Sequence, residues 1–275
     1  MVTERARSMR QVTRGLAMAL VMMAAVACAN DGSVTGPGGP AGTGSVTLSV
    51  ALTGTAPSPA ASLHAHGLEL TDGASTLVIE SADLVVREIE FERIETPGCD
   101  SDSRDDDCEE YEVGPFLVAL PLDGSVTREI TAQVDTGTYD EIEFDIHKPE
   151  DDTAADRDFI SQNPNFADIS IRVTGTYNGQ DFLYTTDLNE DQEIHLSDPL
   201  VVQPDPGPVN VTLTIDLSSW FRTPSGLLID PRTANKGEPN ENLVEDNIEV
   251  SIEGFRDDDS DGVRHSDDDD ESDDS

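Results

Sequence analysis

Between residues 45 and 255 the chain alternates apolar and polar positions over many short runs. Val46, Leu48 and Val50, for example, alternate with small or polar residues. Successive side chains of a strand point to opposite faces, so this spacing predicts strands with one buried face. The same reasoning predicts further strands at residues 68–71, 76–79, 84–94, 110–120, 125–134, 139–147, 168–177, 181–187, 192–196, 200–202 and 209–217.

Turn signals separate these runs, and no stretch of a dozen residues repeats with convincing helical spacing. Asn178-Gly179 favours the left-handed angles of a type I′ turn between two strands. Residues 149–166 are a polar interruption that we interpret as a long loop, and residues 242–255 favour a last strand. Many short strands predict an all-β fold, a single antiparallel β-sandwich of transthyretin or immunoglobulin type over residues 45–255.

The chain's one hydrophobic segment lies at the N-terminus and has the features of a secretory signal peptide. Four arginines precede an apolar run over residues 16–27, which is too short to span a bilayer comfortably. Residues 25–28, Ala-Val-Ala-Cys, are similar to a bacterial lipobox, with alanine where leucine is usual at the first position. We therefore expect residues 1–27 to be a cleaved signal peptide and Cys28 to carry the lipid that anchors the protein to a membrane.

Two low-complexity segments flank the predicted strands. Residues 28–44 are rich in Gly and Pro and predict a flexible tether, and residues 256–275 are mostly Asp and Ser. This second segment predicts a disordered acidic tail that is dispensable for folding. Because Ala29 and Asn30 lack the Asp that signals inner-membrane retention, we favour the outer membrane in a cell that has two.

Two cysteines remain after the lipobox residue. Cys99 and Cys108 bracket a loop of Asp, Ser and one Arg. In an oxidising compartment outside the cytoplasm such a pair predicts a disulfide. A metal site is the weaker alternative, because two cysteines without a nearby histidine make a poor tetrahedral set.

Several segments together resemble a family of bacterial lipoproteins that carry a β-sandwich domain of unknown function. They are residues 46–52, 84–91, 136–142, which contain a Gly-x-Tyr before an alternating strand, and 209–217. The resemblance implies a sandwich in which Tyr139 packs at a sheet corner. It assigns no catalytic residue to this chain.

The formal net charge is −41, and Lys148 and Lys236 are the only lysines. A surface this acidic repels nucleic acid, so we expect no nucleic-acid partner. It attracts divalent cations and basic partners. We favour the interpretation that the acidic surface merely keeps the protein soluble, or adapts it to salt, over a cation-binding role.

The start of the acidic tail matches the first half of a calcium-binding loop. Alternate carboxylates can converge on one ion because Gly262 permits a sharp turn, and Ca²⁺ prefers such oxygen ligands. The candidate ligands are Asp257, Asp259, Asp261, the carbonyl of Val263, and Asp268. The pattern lacks flanking amphipathic helices, and Asp stands in place of the closing Glu. We therefore favour loose condensation of cations on a disordered polyanion over a specific calcium site.

The remaining candidates are weaker. His64 and His66 could hold copper or zinc but have no evident third ligand, and His147 and His195 are isolated beside acidic residues. No nucleophile elbow, phosphate-binding loop or zinc-protease helix is present. We therefore expect a non-catalytic binding or surface module, whose partner is an envelope protein or a glycan. The alternative is a hydrolase of the cell envelope that uses carboxylates.

Overall fold

The alternating runs form strands, which dominate the structure. The computed structural model describes residues 42–53, 61–64, 67–94, 110–204, 209–257 and 259–264. The strands of this part are β1 (Thr43–Leu52), β2 (Ala61–His64), β3 (Gly67–Thr71), β4 (Thr76–Val86), β5 (Glu88–Arg93), β6 (Glu110–Val113), β7 (Phe116–Ala119), β8 (Val126–Asp135), β9 (Gly137–Ile146), β10 (Ile171–Tyr177), β11 (Gln180–Thr186), β12 (Glu190–Val202), β13 (Val209–Ile215) and β14 (Ile252–Arg256). The helices are α1 (Ala154–Gln162) and α2 (Glu241–Glu249), with short 3-10 turns at Pro164–Phe166 and Pro231–Thr233.

These strands pair into three sheets. Sheet A has the order β14-β13-β1-β8, and sheet C has the order β12-β9-β5-β6. Sheet B has the order β11-β10-β4-β3-β2, and β7 pairs with the far end of β4. The fold is therefore mostly β and largely antiparallel, as predicted. The exception is the parallel pair of β1 with β13, two strands joined by a long stretch of intervening chain.

At two bends a single residue carries the chain from one sheet to another. Arg87 separates β4 of sheet B from β5 of sheet C, and its backbone N–H donates to the carbonyl oxygen of Asp145 at 2.8 Å. Thr136 separates β8 of sheet A from β9 of sheet C, and its N–H donates to the carbonyl oxygen of Gly42 at 2.7 Å. The bends leave one continuous apolar core that draws residues from all three sheets.

Tyr139 shows how the core is fixed at the second bend. The side chain is fully buried, and its hydroxyl donates to the backbone oxygen of Asp135 at 2.7 Å. Its ring meets Phe91 edge to face at 5.9 Å, and the Arg93 guanidinium lies over it at 5.4 Å. The buried hydroxyl thus has a partner, and the ring joins β9 to β5.

Residues 216–251 extend the core beyond sheet B. Phe221 packs edge to face on Tyr184 of β11 at 5.1 Å between ring centres. Trp220 is fully buried, and its indole N–H donates to the Ser251 hydroxyl at 2.7 Å. The segment therefore belongs to the folded domain.

Both helices fall where the sequence predicted something else. The polar stretch 149–166, interpreted as a loop, contains α1, whose Thr153 hydroxyl accepts from the Asp156 backbone N–H at 3.0 Å. The helix forms because this cap satisfies its first turn, while Phe159 packs with Val85. The prediction of a loop there was wrong.

The predicted last strand over residues 242–255 is only half right. Residues 241–249 form α2, because Val244 and Ile248 are four apart and bury the same helix face. Val250 is 80% exposed, so its place in the alternating pattern was accidental. The strand itself follows as β14.

The Asn178-Gly179 turn is confirmed. The two residues have φ values of 51° and 76°, and Tyr177 pairs with Gln180 across the hairpin of β10 and β11. Positive φ at both central positions is the type I′ geometry.

Candidate functional site

The acidic loop predicted to bind calcium begins inside the fold. β14 runs through Arg256, and the backbone N–H of Asp257 donates to the Asn210 carbonyl oxygen at 3.0 Å. The Asp257 side chain is buried, with 1% of the residue exposed. Its Oδ2 accepts a hydrogen bond from the Thr212 hydroxyl at 2.6 Å, and the Asn210 amide lies 3.4 Å away. The folded domain thus reaches two residues past the boundary predicted at residue 255.

The backbone of residues 259–262 curls around this carboxylate. The N–H groups of Asp261 and Gly262 donate to its two oxygens at 3.2 and 3.0 Å. Gly262 has a φ of 74°, and a Cβ there would lie 2.4 Å from Cγ2 of Val126. Glycine is therefore required at the turn, as the calcium-loop pattern predicted.

The turn brings three of the predicted ligands together. One carboxylate oxygen from each of Asp257, Asp259 and Asp261 lies within 4.8 Å of the others. Partial desolvation and hydrogen bonding to Asp257 raise the pKa of Asp259. Hard-oxygen ligands at these separations are suited to Ca²⁺.

Two of the predicted ligands remain, the Val263 carbonyl and Asp268. The Val263 N–H donates to Oδ1 of Asp261 at 2.8 Å, which continues the curl. Asp268 lies outside the described residues. So do Cys28, Cys99 and Cys108, the predicted lipid and disulfide positions, and both His66 and the side chain of His64.

A second candidate site, which sequence reasoning missed, lies at the bend between sheets B and C. It is a cavity of about 200 Å³ between the β4–β5 bend, the β6–β7 connection and the start of α1. Three carboxyl groups line it, those of Glu88, Glu112 and Asp156, together with the guanidinium of Arg87.

The charged form of Glu88 is disfavoured in this cavity. Burial, followed by hydrogen bonding and repulsion from Glu112, raises the pKa of Glu88 to about 7. Asp156 is 2% exposed; its Oδ2 accepts from the Thr153 hydroxyl at 2.7 Å, whereas its Oδ1 accepts no hydrogen bond. A carboxyl group with a pKa near neutrality can act as a general acid.

Arg87 partly balances this charge. Its guanidinium lies 3.6 Å from a carboxylate oxygen of Asp152 and 3.8 Å from those of Asp145, Glu150 and Asp156. One cation among so many anions leaves the region negative. The sequence could not reveal this group, because Glu88 and Glu112 meet only through the register of β5 with β6.

Comparisons with known proteins identify no relative. No family model, no curated protein and no solved structure matches the chain. Among the described residues, no helix has both the length and the apolar character needed to cross a membrane.

Proposed function

We propose that this chain is an extracytoplasmic lipoprotein, anchored through a lipid on Cys28, that acts as a non-catalytic binding module. The signal-peptide pattern, the lipobox-like residues 25–28 and the Gly/Pro tether support the anchor, and Ala29 and Asn30 favour the outer membrane in a cell that has two membranes. The same features, with the segments noted above, support membership of the lipoproteins with a β-sandwich domain of unknown function. Its partner is an envelope protein or a glycan.

The finer architecture of the module is a β-sandwich, in which sheets A and C pack face to face. Support comes from a small apolar void between them, which is lined from both sheets. Its walls include Val46, Leu48 and Val211 of sheet A, and Phe91 and Phe144 of sheet C. With a volume of about 10 Å³ this void is too small to hold a ligand.

The binding function we propose includes Ca²⁺ at the loop formed by residues 257–263. The observation that carries it is the placement of three Asp oxygens within 4.8 Å of one another around the buried, hydrogen-bonded Asp257. A loop whose first ligand is fixed to β13 loses less entropy on binding an ion than a free polyanion does. This favours a defined site over the loose condensation that the sequence also allowed.

Calorimetry of the full chain with Ca²⁺ at physiological salt tests the site. We expect one site with a dissociation constant on the order of 10⁻⁴ to 10⁻³ M, the range of extracellular calcium modules. Asp259→Asn removes an exposed ligand and should abolish this site. Asp158→Asn, a matched change on α1, should leave it intact. Shallow binding that salt suppresses and Asp259→Asn leaves unchanged would overturn the calcium proposal.

The anchor has a separate test. Metabolic labelling with a fatty acid should mark the wild-type chain, and Cys28→Ala should remove the label. A Cys28→Ala protein that still carries the label contradicts the assignment.

The cavity beside Arg87 supports a second candidate, an envelope hydrolase. Glu88, with a pKa of about 7, would serve as the acid, and Glu112 or Asp156 would serve as the base or nucleophile. Purified cell-wall glycan is the probe, with release of reducing ends as the measurement. Activity that Glu88→Gln abolishes and Glu80→Gln leaves intact would establish the enzyme. No release by the wild-type chain would eliminate glycan hydrolysis and leave the binding module.

A further inference from the structure

The outer face of sheet C is a regular array of carboxylates. The inward positions of β5 and β9 are apolar, as are Ile194 and Leu196 of β12, so the alternate positions face outward. Cross-strand pairing aligns them in three rows: Asp191, Asp145 and Glu88; Glu193, Glu143, Glu90 and Glu112; and His195, Glu141 and Glu92. Within these rows His195 is the one residue that is not acidic.

The crowding has a measurable consequence at the centre of the array. Burial, together with repulsion from Asp191, Glu193 and Glu141, raises the pKa of Glu143. A face with this density of negative charge concentrates divalent cations from solution. It does not by itself select one ion over another.

Selectivity comes from the geometry at His195. The imidazole Nδ1 lies 2.7 Å from Oε2 of Glu141, its neighbour across the β12–β9 pair. When Nδ1–H donates to this carboxylate, the neutral ring carries its free lone pair on Nε2. Nε2 lies 3.9 Å from Oε2 of Glu193, two residues away on the same face of β12.

Metal-bound histidines have this arrangement. The ring nitrogen that does not touch the metal usually donates to a carboxylate, which fixes the orientation of the ring. One ligand atom from each of His195, Glu193 and Glu141 lies within 4.8 Å of the other two. Imidazole suits Zn²⁺ and its neighbours among the transition metals, whereas Ca²⁺ prefers oxygen alone.

We propose that Nε2 of His195 and the carboxylate of Glu193 bind a divalent transition-metal ion such as Zn²⁺ on the outer face of sheet C. Glu141 is a positioning residue, which holds the imidazole through Nδ1. Glu143, directly opposite Glu193 in the β12–β9 register, can supply a further oxygen. The site is open to solvent, since the side chains of His195 and Glu193 are 75% and 59% exposed. It is distinct from the calcium loop in position and in ligand chemistry.

The experiment uses the full chain in excess Ca²⁺, so that the loop at residues 257–263 is occupied. Calorimetry with Zn²⁺ measures the number and the affinity of the sites. Carbon–proton NMR spectra of the five histidine rings report which rings respond to Co²⁺. We expect Co²⁺ to broaden first the ring signal that is missing in His195→Gln. His195→Gln and Glu193→Gln should each remove one Zn²⁺ site, and Glu141→Gln should weaken it by about tenfold to a hundredfold.

His147→Gln is the matched control, because His147 also lies beside a carboxylate at the end of β9 but outside the array. It should keep the Zn²⁺ site. The exposed positions of His195 and Glu193 predict unchanged urea midpoints, which shows that loss of binding is not loss of folding. If His195→Gln binds Zn²⁺ with unchanged stoichiometry and affinity, or if Co²⁺ broadens the other rings first, the proposal fails.

Discussion

Sheets A and C have similar inner faces but opposite outer faces. The outer face of sheet A carries short neutral polar side chains that are buried: Thr47, Ser49, Asn210, Thr212 and Thr214. The acidic loop lies over part of it, since Gly262 approaches both Val126 and Ala51. The outer face of sheet C carries carboxylates at almost every position.

The contrast shows two ways in which this fold holds negative charge. Asp257 is one buried carboxylate surrounded by donors: the Thr212 hydroxyl, and the N–H groups of Asp261 and Gly262. Glu143 is partly exposed but faces other carboxylates, and its pKa rises. Hydrogen-bond donors satisfy the first charge, whereas on sheet C protons or cations must relieve the repulsion.

The largest loss of stability should follow from removing the buried carboxylate of Asp257. Asp257→Ala leaves the Thr212 hydroxyl and two backbone N–H groups without their acceptor. We expect the free energy of unfolding to fall by roughly 2–4 kcal/mol, the cost of unsatisfied buried partners of a charged group. Urea denaturation without added Ca²⁺ measures it. Asp259→Ala, in the exposed part of the same loop, should change it by less than about 0.5 kcal/mol. Equal losses in the two variants would contradict this role of Asp257.

A smaller loss of stability should follow from removing the Thr212 hydroxyl, which donates to Asp257. Thr212→Val keeps the shape of the side chain but removes the hydroxyl that Asp257 accepts from. We expect a loss of about 1–2 kcal/mol in the free energy of unfolding. Combined with Asp257→Ala, the loss should be less than the sum of the two, because the residues share one interaction. Strict additivity in urea denaturation would show that they act independently.

The sequence alone predicted the acidic loop over sheet A but not the carboxylate array on sheet C. The Asp-x-Asp-x-Asp-Gly spacing is local, so residues 257–262 could be identified from the chain alone, although the burial of Asp257 depends on β13. The strands and the Asn178-Gly179 turn were likewise predictable from local pattern. The carboxylate array, the cavity at Glu88 and the His195 geometry depend on register between strands far apart in sequence. α2 was missed because Ile248 fits both the helical spacing with Val244 and the strand alternation with Val250, and packing selects the helix.

The pH dependence of stability should reveal the titration of Glu88 on sheet C. The folded-state pKa of Glu88 is about 7, above its ordinary value of 4.5, so the folded chain binds the proton more tightly than the unfolded one. Stability from this group therefore increases as the pH falls from above 7 toward 4.5. Because Glu88 is partly open to solvent, we expect only about 1 kcal/mol over this window.

Thermal unfolding across this pH range measures the effect. Carboxylates with lowered pKa values, such as Asp187 and Asp230, lose their contribution only near and below 3.8, outside the window. Glu88→Gln should flatten the profile, since glutamine does not titrate. A melting temperature that falls steadily between pH 7 and pH 4.5 would be the opposite of the expected sign.

The smallest effect should come from relieving repulsion at the centre of the array. Glu143 lies directly between Glu193 and Glu90 on the neighbouring strands, and like charges in that position destabilise a sheet. Glu143→Gln should therefore raise the free energy of unfolding by about 0.5 kcal/mol in low salt. Glu80→Gln, which removes an exposed carboxylate from β4 of sheet B, is the control and should change it less. Added monovalent salt should shrink the gain, because it screens exposed charges. A Glu143→Gln variant that is less stable than the wild type at every salt concentration would contradict this expectation. In that case the packing of the Glu143 side chain contributes more to stability than its repulsion from neighbouring carboxylates costs.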